Sequence, residues 1–184
     1  MLLFRTWAVT GRSQIGGGVL RTKQDLHTHH SGEFQANQSV DLLKTAALDP
    51  GVTSIKICLY RVAGNSRVCD ALVNAVNNGK RVLAVVELQA RFDEEANISL
   101  AARLQEAGAH VVYGVVGYKT HAKMLLIIRR ESQKLRQYAH IGTGNYHART
   151  ARLYTDYGLF TASKKMCEDI NRVFQQLTSM GKTR

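Results

Sequence analysis

VTSIKICLYRVAGNSRVCDALVNAVNNGKRVLAVVEL, residues 52 to 88, decides the fold. Its first nine residues, Val52 to Tyr60, are rich in β-branched and apolar side chains and predict a strand. Ser66 then offers an N-cap, and Val68, Leu72, Val73 and Val76 recur at helical spacing on one face. Asn78-Gly79 ends that helix. Val82 to Leu88 is a nearly unbroken apolar run, the pattern of a strand covered on both faces. Strand, helix and strand in this order imply a right-handed crossover and parallel pairing.

The flanks extend the pattern. Upstream, Val40, Leu43, Ala46 and Ala47 keep helical spacing until Asp49-Pro50-Gly51 stops them. Downstream come a charged helix from about Asp93 to Ala107, ended by Gly108, and a short strand from His110 to Tyr113. Ala122 to Arg129 and Arg136 to Ile141 are two strands joined by a short polar segment, the signature of an antiparallel hairpin. Leu153 to Phe160 predicts one more strand, and Lys164 to Leu177 a closing amphipathic helix. The expected fold is α/β, a mixed, mostly parallel sheet with helices on both faces, filling one domain over residues 37–184. Residues 1–36 carry little periodicity and include the triplet Gly16 to Gly18; they predict an irregular N-terminal arm.

At 184 residues with 45% apolar content the chain can bury a core. Its 25 Lys and Arg against 14 Asp and Glu leave a formal charge of +11, which favours a polyanionic partner. No window of about 18 apolar residues exists, so no spanning helix is expected. Met1 to Val9 is mostly apolar, but Arg5 interrupts it and no cleavage pattern follows. Cys58, Cys69 and Cys167 make an odd count without metal spacing and read as reduced thiols of a cytoplasmic protein.

The sharpest chemical signal is GYKTHAK, residues 117 to 123, which runs straight into the apolar strand MLLII. His121 and Lys123, two apart on an extended segment, leave the same face of the sheet. A neutral imidazole can attack phosphorus while the neighbouring ammonium offsets the developing charge. The same pattern also fits a strand-edge histidine beside a solvated lysine. Ile141-Gly142-Thr143-Gly144-Asn145 follows the next strand, where Gly142 and Gly144 would let backbone N–H groups approach an anion and Asn145 would add a donor. A simple turn fits it too. A hairpin would bring both segments to one end of the sheet.

Arg61 and Arg91 each follow a predicted parallel strand, at the end where such sheets bind ligands, and guanidinium suits bidentate phosphate binding. Glu87, Asp93, Glu94 and Glu95 surround Arg91 and could order it, reach a hydrated magnesium ion or cap the next helix. His27, His29 and His30 lack a carboxylate or thiol at ligand spacing. His110 and His140 read as structural, and His147 lies beside the glycine segment.

The strings IKICLYRVAGNS (55 to 66), VVELQARFDEEANI (85 to 98), GYKTHAK and HIGTGNYHARTARLYTDYGLFTA (140 to 162) closely resemble the first of two C-terminal catalytic domains in bacterial long-chain polyphosphate kinases. The likeness runs from about Ser39 to Gly181. His-x-Lys and Gly-x-Gly-Asn also look like a half-site of the phospholipase D superfamily, so the resemblance implies a phospholipase D-like fold. It further implies that His121 becomes phosphorylated, that ATP is the donor with magnesium as cofactor, and that Tyr154 matches a nucleotide-binding tyrosine. Arg61 and Arg91 match positions the family associates with the magnesium site. A guanidinium has no lone pair for a metal, so both are expected to grip phosphate oxygens beside it.

The family protein is several times longer and carries a second catalytic domain with another histidine; neither is present here. The resemblance therefore implies an ATP:polyphosphate phosphotransferase domain, truncated and incomplete alone, whose partners are ATP or ADP, polyphosphate rather than nucleic acid, and a second catalytic domain or further copies of itself. Attachment to a membrane surface stays open beside the cytoplasmic reading. Two alternatives stand beside this one: a phospholipase D-type phosphodiesterase half-site completed by dimerisation, and a catalytically silent polyanion-binding module.

Overall fold

Parallel pairing occupies only one part of the sheet. The structure, a computed structural model, describes residues 26–62, 66–88, 94–115, 117–147, 151 and 153–183, with side-chain surroundings for those between 37 and 179. In chain order the elements are β1 (Leu26–Ser31), α1 (Gly32–Leu48), β2 (Val52–Leu59), α2 (Arg67–Asn77), β3 (Arg81–Val86), α3 (Glu94–Glu106), β4 (His110–Val115), β5 (Lys123–Glu131), β6 (Lys134–Gly142), β7 (Thr155–Thr161), α4 (Lys164–Met180) and β8 (Gly181–Thr183). They build an eight-stranded mixed sheet in the order β1-β7-β6-β5-β2-β3-β4-β8.

The β2-α2-β3-α3-β4 stretch gives the expected parallel pairs, β2 with β3 and β3 with β4. Every other pairing among the described strands is antiparallel. The sheet is thus mixed, with a smaller parallel part than the mostly parallel sheet expected. β5 and β6 follow one another with no helix between them, and so short a connection can join only antiparallel neighbours. The turn between β5 and β6 is Ser132-Gln133, with Ser132 at φ 54°, and nine residue pairs run in register from Lys123↔Gly142 to Glu131↔Lys134.

Part of the expected arm is regular. Leu26–Ser31 pairs antiparallel with β7, and α1 starts at Gly32. Residues 1–25, with the glycine triplet, lie outside the described residues. An edge strand such as β1 is held by backbone pairing, so its sequence, LHTHHS, need not alternate apolar and polar side chains.

Local signals explain the element ends. Ser66 caps α2 by accepting from Val68 N at 3.2 Å. Gly79 closes it at φ +76°, while Lys80 N donates to Ala75 O at 3.0 Å. Alternation along the central strands feeds two cores. Ile55, Ile57, Leu59, Leu125 and Ile127 pack under Leu43, Leu72 and Leu104 of α1, α2 and α3. Cys58, Met124 and Leu126 pack under Cys167, Ile170 and Phe174 of α4. Helices therefore cover both faces, and each large aliphatic side chain so buried contributes about 1.5–3 kcal/mol.

All three cysteines are free and buried, and burial pushes the Cys58 thiol up to about 12. Among the described residues no helix is long and apolar enough to cross a membrane. At one end of the sheet, Arg129 Nε meets Asp49 Oδ2 at 2.9 Å with both side chains buried, and Lys80 Nζ donates to Asp49 O at 2.6 Å. The candidate site occupies the other end.

Candidate active site

Antiparallel pairing of β5 with β2 and β6 places the start of β5 beside the ends of its neighbours. That register assembles residues distant in sequence: Tyr60 and Arg61 after β2, Glu87 after β3, His121 and Lys123 at the start of β5, Gly142 to Asn145 after β6, and Asp156 at the start of β7.

His121 is exposed, and its ring stands edge-on to the Tyr60 ring with centroids 4.5 Å apart. Lys123 is buried, only 4% exposed. Its Nζ donates to the carbonyl of His121 at 2.6 Å and lies 3.0 Å from Nδ1 and 3.1 Å from Nε2 of the same ring. It also stands 5.0 Å from the centre of the Tyr60 ring. Partial burial lowers the His121 pKa below its ordinary 6.5, and the charges of Lys123 and Arg61 lower it further. Burial likewise lowers Lys123; Asp156 pulls it back up and Arg61 presses it down. The imidazole is consequently held neutral at pH 7 and surrounded by cationic groups, the state a nitrogen nucleophile for phosphorus requires.

The glycine segment follows its neighbours' demands. Neither Gly142 nor Gly144 has positive φ. A Cβ on Gly144 would overlap Asp156 Oδ2, and one on Gly142 would stand 3.1 Å from His140 Cε1. Glycine is needed there to seat Asp156 and His140. Thr143 locks the turn: its N–H donates to Tyr157 O at 3.0 Å, its Oγ1 donates to Asp156 Oδ1 at 2.8 Å, and the same oxygen accepts from Tyr157 N at 3.0 Å. The Thr143 N–H is therefore committed within the turn. Asn145 Oδ1 is buried and finds no hydrogen-bond partner among the described residues.

Behind the turn, His140 is 2% exposed, lies 2.9 Å through Nδ1 from Tyr146 Oη, and packs on Phe160 with centroids 4.4 Å apart. Burial lowers its pKa to about 4, which makes it a neutral structural histidine as the sequence implied. Tyr154 lies just ahead of β7 and is 63% exposed. Arg61 is half-buried and close enough to weigh on both His121 and Lys123. Arg91 lies outside the described residues. Side chains of His27, His29 and His30 are likewise outside the description. Among the described residues no group of three His, Cys, Asp or Glu side chains could hold a metal ion, and Arg61 offers no lone pair. These residues do not make a protein cage for magnesium.

Three contributors escape sequence reading: Tyr60, Glu87 as a partner of the His121 segment, and Asp156. Asp156 had one signal, an acidic residue at the exposed start of a strand otherwise ending in the apolar run Gly-Leu-Phe.

The fold is phospholipase D-like. Nuc, a phospholipase D family member from Salmonella typhimurium, matches with a TM-score of 0.65 at 18% identity, over 88% of this chain and 99% of that one. NucT from Helicobacter pylori matches at 0.66 and 11% identity, over 88% and 100%. At such identities the shared property is the fold.

Within that class, the chain belongs to the family of polyphosphate kinase C-terminal domain 1, whose model matches residues 19–183. That span takes in β1 and the whole of α1. The polyphosphate kinase of Pseudomonas aeruginosa is 64% identical over 144 residues, 78% of this chain and 21% of the relative. That of Pseudomonas syringae pv. tomato is 57% identical over 162 residues, 88% and 22%. The crystal structure of polyphosphate kinase from Porphyromonas gingivalis superposes with a TM-score of 0.73 at 37% identity, covering 86% of this chain and 26% of that one. The chain thus spans about a fifth of the length of the curated relatives it matches.

Proposed function

We propose that this chain is the nucleophile-bearing part of an ATP:polyphosphate phosphotransferase working through phosphohistidine. The observation that carries the reading is an exposed, neutral imidazole with the Lys123 ammonium against it and the Arg61 charge beside it. A ring nitrogen of His121 attacks the terminal phosphorus of ATP. The N–P bond forms as the bond to the bridging oxygen breaks, and ADP leaves with that electron pair. Lys123 and Arg61 face the charge that spreads over the phosphoryl oxygens, each such donor contributing about 3 kcal/mol to the transition state. Tyr60 limits the tilt of the ring. In the second half-reaction a terminal oxygen of polyphosphate takes the phosphoryl group and frees the imidazole.

Tyr154, exposed on the rim, offers a face for the adenine ring, and Asn145 offers an amide to the phosphates. Arg91 would add a second guanidinium. Magnesium, when bound, would be held by the nucleotide phosphates rather than by a cage of protein ligands, and would offset their charge. Because relatives are several times longer, the working site is completed by a second catalytic domain or another copy of this chain. The net charge of +11 supports a polyphosphate track, whose binding weakens as salt screens it.

The test is labelling by ATP carrying radioactive γ-phosphate. Acid-labile, alkali-stable label on the protein, lost in His121→Ala, is the expected result. Equal labelling of the variant removes His121 from the role, and cleavage of a chromogenic phosphodiester without ATP redirects the site to hydrolysis.

A further inference from the structure

Glu87 closes β3 and is 3% exposed, yet it carries a carboxylate. Its Oε2 accepts a hydrogen bond from Thr120 N at 2.7 Å, and Thr120 is the residue before His121. The main chain of Glu87 is itself held on both sides. Glu87 N donates to Leu59 O at 3.0 Å, and Asn97 Nδ2 donates to Glu87 O at 2.7 Å and to Tyr60 O at 2.9 Å. Gly114, at φ +21°, lies against the carboxylate; a Cβ there would stand 3.4 Å from Oε2, in ordinary van der Waals contact. Asn97, Glu87 and Thr120 thus form a continuous line from the parallel strands to the nucleophile. The segment linking β4 to β5 also carries the turn bond from Tyr118 N to Val115 O at 3.0 Å, three residues ahead of His121.

We propose that Glu87 is the positioning residue of His121, setting through the Thr120 N–H the line along which the imidazole meets phosphorus. The proposal rests on reading His121 as the nucleophile. Burying a carboxylate is costly unless it is hydrogen-bonded. A carboxylate makes the shorter and stiffer charge-assisted bond. It is spent on the backbone next to the reacting ring, where a displacement of about 1 Å can cost on the order of a hundredfold in rate.

The experiment uses the full chain, labelled with 15N, as wild type, Glu87→Gln and Glu87→Asp. In Glu87→Gln the downfield Thr120 amide signal moves upfield. The rate of His121 labelling at saturating ATP drops about tenfold or more, whereas the ATP concentration for half-maximal rate changes by less than about twofold. Chemical phosphorylation of His121 by potassium phosphoramidate, which needs no aligned nucleotide, is retained. Glu87→Asp keeps the charge and falls between the two. An unmoved Thr120 amide overturns the proposal, as does parallel loss of ATP and phosphoramidate labelling with collapse of the amide spectrum, which assigns Glu87 to folding alone. Wild-type protein that takes phosphoramidate but never ATP, even with a second catalytic domain of the family added, defeats the kinase reading instead; the Thr120 and His121 signals of Glu87→Gln then still decide whether Glu87 holds the ring.

Discussion

His140 makes the fold sensitive to mild acid, and the size of the effect follows from its burial. In the unfolded chain this imidazole titrates near 6.5; in the fold, burial against Phe160 and Tyr146 lowers it to about 4. The sign is that of a histidine kept neutral. Above pH 6.5 neither state binds the proton and His140 has no effect on stability. As pH falls below 6.5 the unfolded chain takes a proton that the fold refuses, so stability is lost until about pH 4. Each pH unit in that window costs about 1.4 kcal/mol, so acidification from pH 7 to pH 5 removes about 2 kcal/mol through this one residue. His140→Phe abolishes the titration and retains a ring against Phe160. It also strips Tyr146 Oη of its partner, a loss of about 1–3 kcal/mol that does not vary with pH because Tyr146 stays protonated. The assay is urea unfolding of both proteins at pH 7 and pH 5. His121 and the carboxylates titrate in each protein and cancel in the comparison. The stability gap between wild type and variant should narrow, or reverse, by about 2 kcal/mol on acidification. A gap unchanged between the two pH values refutes the reasoning and places the His140 proton in the folded state.

Other outcomes follow from the same geometry. If His121 is the nucleophile, the rate of ATP labelling should hold steady as pH falls to 6.5 and decline only below it, since its lowered pKa keeps the imidazole neutral; a midpoint above 6.5 would contradict the cationic surroundings. Lys123→Met preserves bulk and removes the ammonium, and should slow single-turnover labelling by about a hundredfold. Gly144→Ala forces a methyl against Asp156 and should lower stability by about 1–3 kcal/mol in a thermal melt while also impairing labelling. Asp49→Ala removes the acceptor at 2.9 Å from buried Arg129 and the carboxylate that receives Gly51 N at 2.7 Å. It should cost about 3 kcal/mol by denaturant titration.

How far the sequence carries depends on whether a feature is local. Strands β2, β3 and β5 are legible because apolar runs of that length have one physical use in a chain this size. The meeting of His121 and Lys123 with Gly142 and Gly144 is legible because a hairpin leaves one way to pair its ends, and Lys123↔Gly142 is that pairing. Strand β1 is hidden because its bonds are backbone bonds and LHTHHS carries no period. Glu87 is visible as a buried-strand neighbour, but its partner lies 33 residues away across a crossover. The glycines were legible as special and their reason was not: they answer to Asp156 and His140, and only coordinates bring those side chains behind the turn.

The unbroken β5–β6 ladder has a consequence for how this domain can vary. It acts as a ruler, fixing the gap between His121 and the glycine turn as a count of residues along two arms. Removing one residue from within either arm would slide one arm along the other by about 3.4 Å and invert which side chains look inward. Length changes should therefore be confined to the tip at Ser132-Gln133, where extra loop leaves the count intact, and that tip is the natural place to graft a tag or reporter without disturbing the chemistry at the opposite end.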